Sequence, residues 1–321
     1  MNRNTCFLST DINDALTSWS NGGLVAIPTE TVFGLGAPID KIDLIHKIFA
    51  YKERPFYDPL IVHVSGVGQA KECVRNWNSV CDKLVKKFWP GPLTLVLPKR
   101  PTVDNLITSG LDTVGVRCPR NKKTLALLNK IGVGVAAPSA NKFTKTSPTK
   151  VEHVFQSFKD YKLCILESEE TCDVGIESTI IKVIDEKTVE ILRPGIITKS
   201  EIEDSLPDVS VLKGITAREG IEQREAPGQD KIHYRPAYPL YYYYGEPKNL
   251  KSSSAIEVTY LQENPYIAAR ELYSLMLTPI TLAFRARLLI LPEELKRTSL
   301  KEREVWESVI DKISKAGILW S

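Results

Sequence analysis

Pro28-Thr29-Glu30-Thr31-Val32-Phe33-Gly34-Leu35-Gly36 and the later Tyr51-Lys52-Glu53-Arg54-Pro55-Phe56-Tyr57-Asp58-Pro59-Leu60-Ile61-Val62-His63 decide how this chain folds. Leu24–Ile27, just before the first segment, is a wholly apolar run, the mark of a strand buried on both faces. It leads into a turn rich in hydroxyls and glycine. The second segment is a Lys-x-Arg-Pro turn leading into another apolar run, Leu60–Val64. Between them Ile42, Ile45, Ile48 and Phe49 recur at helical spacing. Two strand ends therefore gather hydroxyls, backbone N–H groups, a lysine and an arginine. That combination makes a cradle for an anion such as a phosphate.

The same reading extends outward. Residues 11–21 form a short helix capped by Asp11, and Asn21-Gly22-Gly23 ends it. Helices are expected near 67–76 and 79–89, the second stopped by Trp89-Pro90-Gly91-Pro92, with a strand at Leu93–Leu97. Val114–Pro119 and Gly134–Ala137 read as strands around a helix at Lys123–Lys130. Thr149 and Glu152 have the spacing of a capping box at the start of the next helix. Strands follow near 162–166, 178–184 and 188–192, the last two as a hairpin around Asp185-Glu186-Lys187. A short helix covers Thr198–Leu206.

Beyond Leu206 the composition changes. Residues 213–239 carry charges, glycines and prolines without periodicity and read as a linker. Strand-like runs at Leu240–Tyr244, Ile280–Phe284 and Leu288–Leu291 then alternate with helices at Ala268–Leu277 and Ser299–Ala316, the pattern of a small parallel α/β unit.

The 321 residues are 43% hydrophobic and 25% charged, ordinary values for a soluble chain of about two domains. Lys and Arg number 42 against 39 Asp and Glu, a net charge of +3. That small excess argues against a dedicated nucleic-acid binder. The local clusters Lys83, Lys86, Lys87 and Arg117, Arg120, Lys122, Lys123 read as solvated faces and turns. Cys6, Cys73, Cys81, Cys118, Cys164 and Cys172 form no C-x-x-C pair and no zinc spacing, so buried thiols in a reducing compartment are expected. The N-terminal MNRNTCFLSTDIND has no apolar run of signal-peptide length, and no stretch reaches the ~20 apolar residues of a membrane span. A cytoplasmic location is the expectation.

Several predicted strand ends finish in polar groups: Thr29/Glu30/Thr31, Lys52/Arg54, His63, Arg117, Ser139/Asn141, Ser178/Thr179 and Arg193. In open α/β sheets ligands sit beyond such ends. Each group also has a bland reading. Thr31 satisfies turn backbone groups, His63 is a core histidine, Lys52 and Arg54 are surface charges, and Ser139 and Asn141 fix a turn. Arg117 resists that reading, because an arginine ending an apolar strand must stay paired or solvated. No P-loop, complete dinucleotide fingerprint, G-x-S-x-G or H-E-x-x-H is present. An enzyme built on these groups works by positioning and charge neutralisation rather than through a covalent intermediate.

Seven blocks in register resemble the YrdC-like family. They are Pro28–Ala37, Lys52-x-Arg54-Pro55, Pro59–His63, Ala137-Pro138-Ser139-Ala140-Asn141, Ser147-Pro148-Thr149, Glu177-Ser178-Thr179-Ile180 and Leu192-Arg193-Pro194-Gly195. The resemblance covers about residues 10–205. Pro227-Gly228 with His233-Tyr234 and Pro236, then Ala269–Tyr273 and Leu289–Pro292, resemble the long, two-domain threonylcarbamoyl-AMP synthases of that family. The resemblance implies a twisted open-sheet α/β domain with a concave active site (residues 1–206), a linker over that site (207–239) and a small Rossmann-like α/β domain (240–321).

It also implies a nucleotidyltransferase reaction. L-threonine, bicarbonate or CO2, and ATP give threonylcarbamoyl-AMP and pyrophosphate, for threonylcarbamoyladenosine modification of tRNA. Carried over by position, Thr31, His63, Arg117, Ala137 and Ser178 surround threonine. Lys52, Arg54, Asp58, Thr113, Ser139, Asn141, Ser147, Arg193 and Tyr234 surround ATP, with Lys52 and Arg54 as the catalytic cations and Mg2+ on the phosphates. A downstream tRNA threonylcarbamoyl transferase is the implied partner; direct tRNA contact stays open, no membrane is involved, and a monomer is expected.

Three features depart from the pattern. Asp58 stands where asparagine is common, Asp230 and Ile232 replace basic linker residues, and the C-terminal part is short. Two other readings share the scaffold. One is a non-catalytic RNA-binding module, disfavoured by the near-neutral charge. The other is a carbamoyl transferase of hydrogenase maturation, whose zinc-finger regions need C-x-x-C pairs that do not occur here.

Overall fold

A computed structural model describes residues 5–170, 172–214, 226–227, 233–247, 255–293 and 298–320. Its first elements are an edge strand β1 (Phe7–Ser9) and helix α1 (Ile12–Ser20), capped by the Asp11 side chain. β2 (Leu24–Ile27) is buried throughout, as its unbroken apolar run requires. The chain then turns back as β3 (Gly34–Pro38), antiparallel to β2. Gly34 and Gly36, which the sequence assigns to a turn, are therefore strand residues. Packing explains them: a Cβ at Gly34 would stand 3.1 Å from the Ala137 Cβ, and one at Gly36 would stand 3.0 Å from Val135 Cγ1. The missing side chains let the next strand close in.

Helix α2 (Ile42–Lys52) ends on Glu53 in the left-handed region and leaves Lys52 buried. β4 (Ile61–His63), α3 (Val67–Cys73), α4 (Ser79–Phe88) and β5 (Leu93–Pro98) follow in the expected order. A short α5 (Asn105–Thr108) precedes β6 (Thr113–Arg117), α6 (Lys122–Ile131) and β7 (Val135–Ala136). Helix α7 (Val151–Phe158) starts on Lys150, with no side-chain cap. The capping box expected from Thr149 and Glu152 does not form, because the Thr149 N–H donates to His153 Nδ1 instead.

β8 (Leu163–Leu166) lies parallel between β1 and β2, and β9 (Thr179–Val183) and β10 (Thr188–Arg193) make the expected hairpin. α8 (Lys199–Ser205) carries a capping box, Thr198 with Glu201. β11 (Ser210–Lys213) falls in the stretch expected as linker and pairs parallel with β10. The large open sheet has the order β1-β8-β2-β3-β7-β4-β6-β5-β9-β10-β11 among the described residues.

The remaining elements are β12 (Leu240–Tyr244), β13 (Ile256–Tyr260), α9 (Pro265–Leu277), β14 (Ala286–Leu291), α10 (Leu300–Ala316) and β15 (Ile318–Leu319). Their sheet runs β13-β14-β12-β15 with every pair parallel, as strand–helix alternation predicts. Ile280–Phe284, expected as a strand, is not one: it pairs with no strand, and Leu282 stands fully exposed. Cys73, Cys81, Cys118, Cys164 and Cys172 are buried free thiols and Cys6 is half-buried. No helix among the described residues is long and apolar enough to cross a membrane.

The small sheet packs directly on the segment that opened the reading. Val32 and Ile176 share one apolar cluster with Tyr234, Leu272, Tyr273 and Trp306. Nearby, Gly175 sits at φ +76°, and a Cβ there would come within 2.4 Å of the Arg270 backbone in α9. Only glycine accommodates both that backbone conformation and that approach. Gly175→Ala is therefore expected to cost about 2 kcal/mol or more of stability. Urea unfolding at equilibrium measures this, and an unchanged midpoint would refute the packing argument.

Candidate active site

β4 and β6 run parallel with His63 opposite Arg117 at their carboxyl ends. A cavity of about 50 Å³ opens there, lined by Thr31, His63, Arg117, Ala137 and Ser178 together with Arg54, Ser139, Arg193 and Tyr234. All five residues assigned to the amino acid thus meet in one place. Of those assigned to the nucleotide, four line the same cavity. Lys52, Asp58, Asn141 and Ser147 stand behind its wall, and Thr113 lies farther along β6.

The Pro28–Gly34 turn builds one end. Thr29 Oγ1 accepts the N–H groups of Thr31 and Val32 at 3.1 and 3.2 Å, and donates to Val32 O at 2.6 Å. The backbone is satisfied within the turn, which leaves Thr31 to face the cavity. Glu30 turns the other way. Its Oε1 accepts from Arg117 Nη2 at 2.6 Å, and its Oε2 from the Arg120 N–H at 2.9 Å. Burial works against the Glu30 charge, but Arg117 beside it and the Arg120 N–H outweigh that and hold its carboxyl below the usual glutamate range. Arg117 Nη1 makes no hydrogen bond among the described residues. The guanidinium is thus oriented by Glu30 and still has donors to spend. His63 is 4% exposed. Burial, and then the charge of Arg117, push its pKa down to about 3, so it is a neutral wall of the site.

The other end holds the remaining cations. Lys52 Nζ donates to Ser139 O and Asn141 O at 2.6 and 2.7 Å, with no carboxylate paired to it among the described residues. Burial foremost, then Arg54, pushes its pKa well below the usual lysine value. Arg54 Nη2 lies 2.9 Å from Asp58 Oδ2 and bonds Pro59 O at 2.8 Å. Asp58 is fully buried. Its carboxylate forms an ion pair with Arg54. Asn141 Nδ2 bonds Lys142 O and Lys145 O, so it shapes the loop that receives Lys52. Thr113 begins β6, two residues ahead of Gly115, the partner of Ile61. That puts it at the Pro59 end of the strand pair, away from Arg117. Arg193 bonds Ser178 O through Nε and Nη2, Ser178 Oγ through Nη2 at 3.1 Å, and Pro227 O through Nη1 at 3.2 Å. Thr94 Oγ1 meets the same Ser178 hydroxyl at 2.8 Å.

Pro227, His233 and Tyr234 close the cavity from the linker side. The Thr146 hydroxyl donates to Tyr234 O, the His233 N–H donates to Lys315 O, and Lys145 and Arg235 form a parallel bridge. Asp230 and Ile232 lie outside the described residues. A volume of about 50 Å³ holds only a few water-sized groups, whereas ligand pockets usually exceed about 300 Å³.

Two carboxylates of the site have roles that the sequence did not assign. Glu30 orients Arg117, and Glu177 lies in the cavity wall with its carboxylate bonded to Ser147 and Tyr273. Their positions, next to Thr31 and Ser178, were the available signal. Their partners lie 87 and 96 residues away, which no local pattern reveals.

The family model Sua5_yciO_yrdC, described as "Telomere recombination", matches residues 17–195. Threonylcarbamoyl-AMP synthase of Bacillus subtilis is 39% identical over 229 residues, covering 71% of this chain and 65% of that protein. The Pyrococcus abyssi protein of the same name is 40% identical over 216 residues, covering 67% and 63%. The matched region thus spans a little under two thirds of these relatives' length. The crystal structure of P. abyssi Sua5 complexed with L-threonine superposes with a TM-score of 0.82 at 27% identity, covering 98% of this chain and 99% of that one.

The buried histidine makes stability pH-dependent. The unfolded chain protonates His63 near 6.5 and the folded chain near 3, so between those values the unfolded state binds more protons. Stability present above pH 6.5 is lost as pH falls toward 3. His153 and His233 are shifted the same way, both by burial first. Urea unfolding is expected to show lower stability at about pH 5 than at about pH 7.5, with a smaller difference in His63→Asn. Equal differences in the two proteins would remove His63 as the source.

Proposed function

The chain belongs to the Sua5/YciO/YrdC family, and on that premise we propose that it makes threonylcarbamoyl-AMP and pyrophosphate from L-threonine, bicarbonate or CO2, and ATP. The observation that carries this reading is the convergence of Thr31, His63, Arg117, Ala137 and Ser178 on one cavity that Arg54 and Arg193 also line, with Lys52 bonded to Ser139 in its wall. The cavity offers a carboxylate-binding guanidinium at one end and a set of cations for phosphates at the other. The names of the similar proteins, and the threonine bound by P. abyssi Sua5, support the same assignment.

The threonine carboxylate pairs with Arg117, whose free Nη1 edge meets it while Glu30 holds the opposite edge. Thr31 and Ser178 offer hydroxyls beside it. The threonine amine adds to the carbon of CO2 and loses a proton, giving a carbamate. A carbamate oxygen then attacks the α-phosphorus of ATP, and the bond to the β-phosphate oxygen breaks to release pyrophosphate. Charge builds on the leaving phosphates, and Lys52, Arg54 and Arg193 are the groups that offset it. An incoming phosphate also relieves Lys52, whose ammonium bonds only carbonyls among the described residues.

Magnesium belongs to this scheme as part of the MgATP substrate. No cluster of three His, Cys, Asp or Glu side chains forms a cage among the described residues, and Asp58 is engaged by Arg54. The product serves threonylcarbamoyladenosine formation in tRNA through a separate transferase, with the reaction run by a cytoplasmic monomer.

Pyrophosphate release from ATP is expected to need both L-threonine and bicarbonate. Release that persists without threonine would overturn the assignment. Lys52→Ala and Arg54→Ala are each expected to lower kcat/KM by about 10²-fold or more, as for other lost transition-state charge contacts. Near-normal turnover in both would remove them from the chemistry.

A further inference from the structure

Glu177 has no part in the scheme above, yet its carboxylate is gripped from two sides. Ser147 Oγ donates to Oε1 and Tyr273 Oη donates to Oε2, both at 2.6 Å. Hydroxyl–carboxylate bonds this short are the strong, charge-assisted kind. The two donors come from different parts of the fold. Ser147 belongs to the loop before α7, under the large sheet, and Tyr273 lies on α9 of the small one. Glu177 itself precedes β9 and lines the cavity.

Tyr273 has a second contact toward the site. Its ring stacks on Tyr234, with centroids 5.4 Å apart and planes 27° from parallel. Tyr234 has a left-handed backbone, φ +62°, which a tyrosine holds only when its neighbours impose it. Both rings are fully buried. One tyrosine of α9 thus touches Glu177 with its hydroxyl and Tyr234 with its face. Neither oxygen of Glu177 bonds Thr31, His63 or Arg117. The chain of side-chain contacts Ser147–Glu177–Tyr273–Tyr234 therefore joins two residues of the nucleotide side without a hydrogen bond to Thr31, His63 or Arg117.

We propose that Glu177 is a positioning residue that ties Ser147 to Tyr273, and through Tyr273 sets Tyr234, so that the α9 helix controls nucleotide binding without altering threonine binding. The proposal rests on the synthase reading for the identity of the nucleotide. In that arrangement the small sheet is more than a scaffold. It supplies the second donor that keeps the Glu177 carboxylate fixed, and the ring that keeps Tyr234 at the cavity.

The test uses the full chain, with α,β-methylene ATP and L-threonine as separate titrants in calorimetry, beside the pyrophosphate assay. Tyr273→Phe keeps the ring stack and removes only the hydroxyl. It is expected to weaken α,β-methylene ATP binding about tenfold, the size of a lost hydrogen bond to a charged group. Threonine affinity is expected to stay within about twofold. Glu177→Gln keeps the shape and is expected to weaken the nucleotide less than Glu177→Ala does. Because the residues act in one chain, Glu177→Gln/Tyr273→Phe is expected to be no weaker than the more affected single variant. An unchanged nucleotide affinity in Tyr273→Phe, an additive double variant, or an equal loss of threonine affinity overturns the proposal, the last because it marks general loosening. A wild-type chain that binds both titrants but releases no pyrophosphate overturns the synthase reading instead, and the nucleotide affinities still judge Glu177.

Discussion

Several cations held around one small cavity must be surrounded by oxygen, and much of the local structure answers that demand. In a low-dielectric interior an unmatched ammonium or guanidinium is very costly. Each cation here is matched differently. Arg117 has the Glu30 carboxylate, Arg54 has Asp58, Arg193 has Ser178 and Pro227, and Lys52 has the carbonyls of Ser139 and Asn141. Arg117 is held on one edge by a carboxylate, whereas Lys52 has no ion-pair partner among the described residues and burial pushes its pKa down.

The same demand explains the loops. The chain from Ser139 to Lys145 follows a path that presents two carbonyls to Lys52, and Asn141 pins it by bonding the carbonyls of Lys142 and Lys145. The Pro55–Pro59 turn wraps Arg54, giving it the carbonyls of Asp58 and Pro59 as well as the Asp58 carboxylate. These turns look irregular in sequence because they are shaped by the cations they enclose, not by a repeating backbone pattern.

The small sheet enters the site through two routes. Val32, on the turn beside Thr31, belongs to the same apolar cluster as Leu272, Tyr273 and Trp306. Helix α10 adds polar contacts to the loop after Arg193: Ser308 donates to Gly195 O, and Lys312 to Pro194 O. Packing of this sheet and geometry of the cavity are thus one problem rather than two.

By itself the sequence determined the elements that rest on local rules. Leu24–Ile27 is a strand because an unbroken apolar run must be buried, and α10 begins after Ser299 because that hydroxyl cap and Glu302 satisfy its first N–H groups. It also displayed the cationic strand ends, and so most of the residues that meet at the cavity. It did not display β1, β11 or β13, edge strands whose existence depends on a partner far along the chain. It suggested a strand at Ile280–Phe284 that no neighbour supports. Only the tertiary structure decided that Asp58 serves Arg54, that Glu30 serves Arg117, and that Glu177 joins Ser147 to Tyr273. The physical reason is common to all three. A carboxylate's partner in a buried site is set by which strand ends the sheet order brings within 3 Å, and strand order is a long-range property that no local pattern carries.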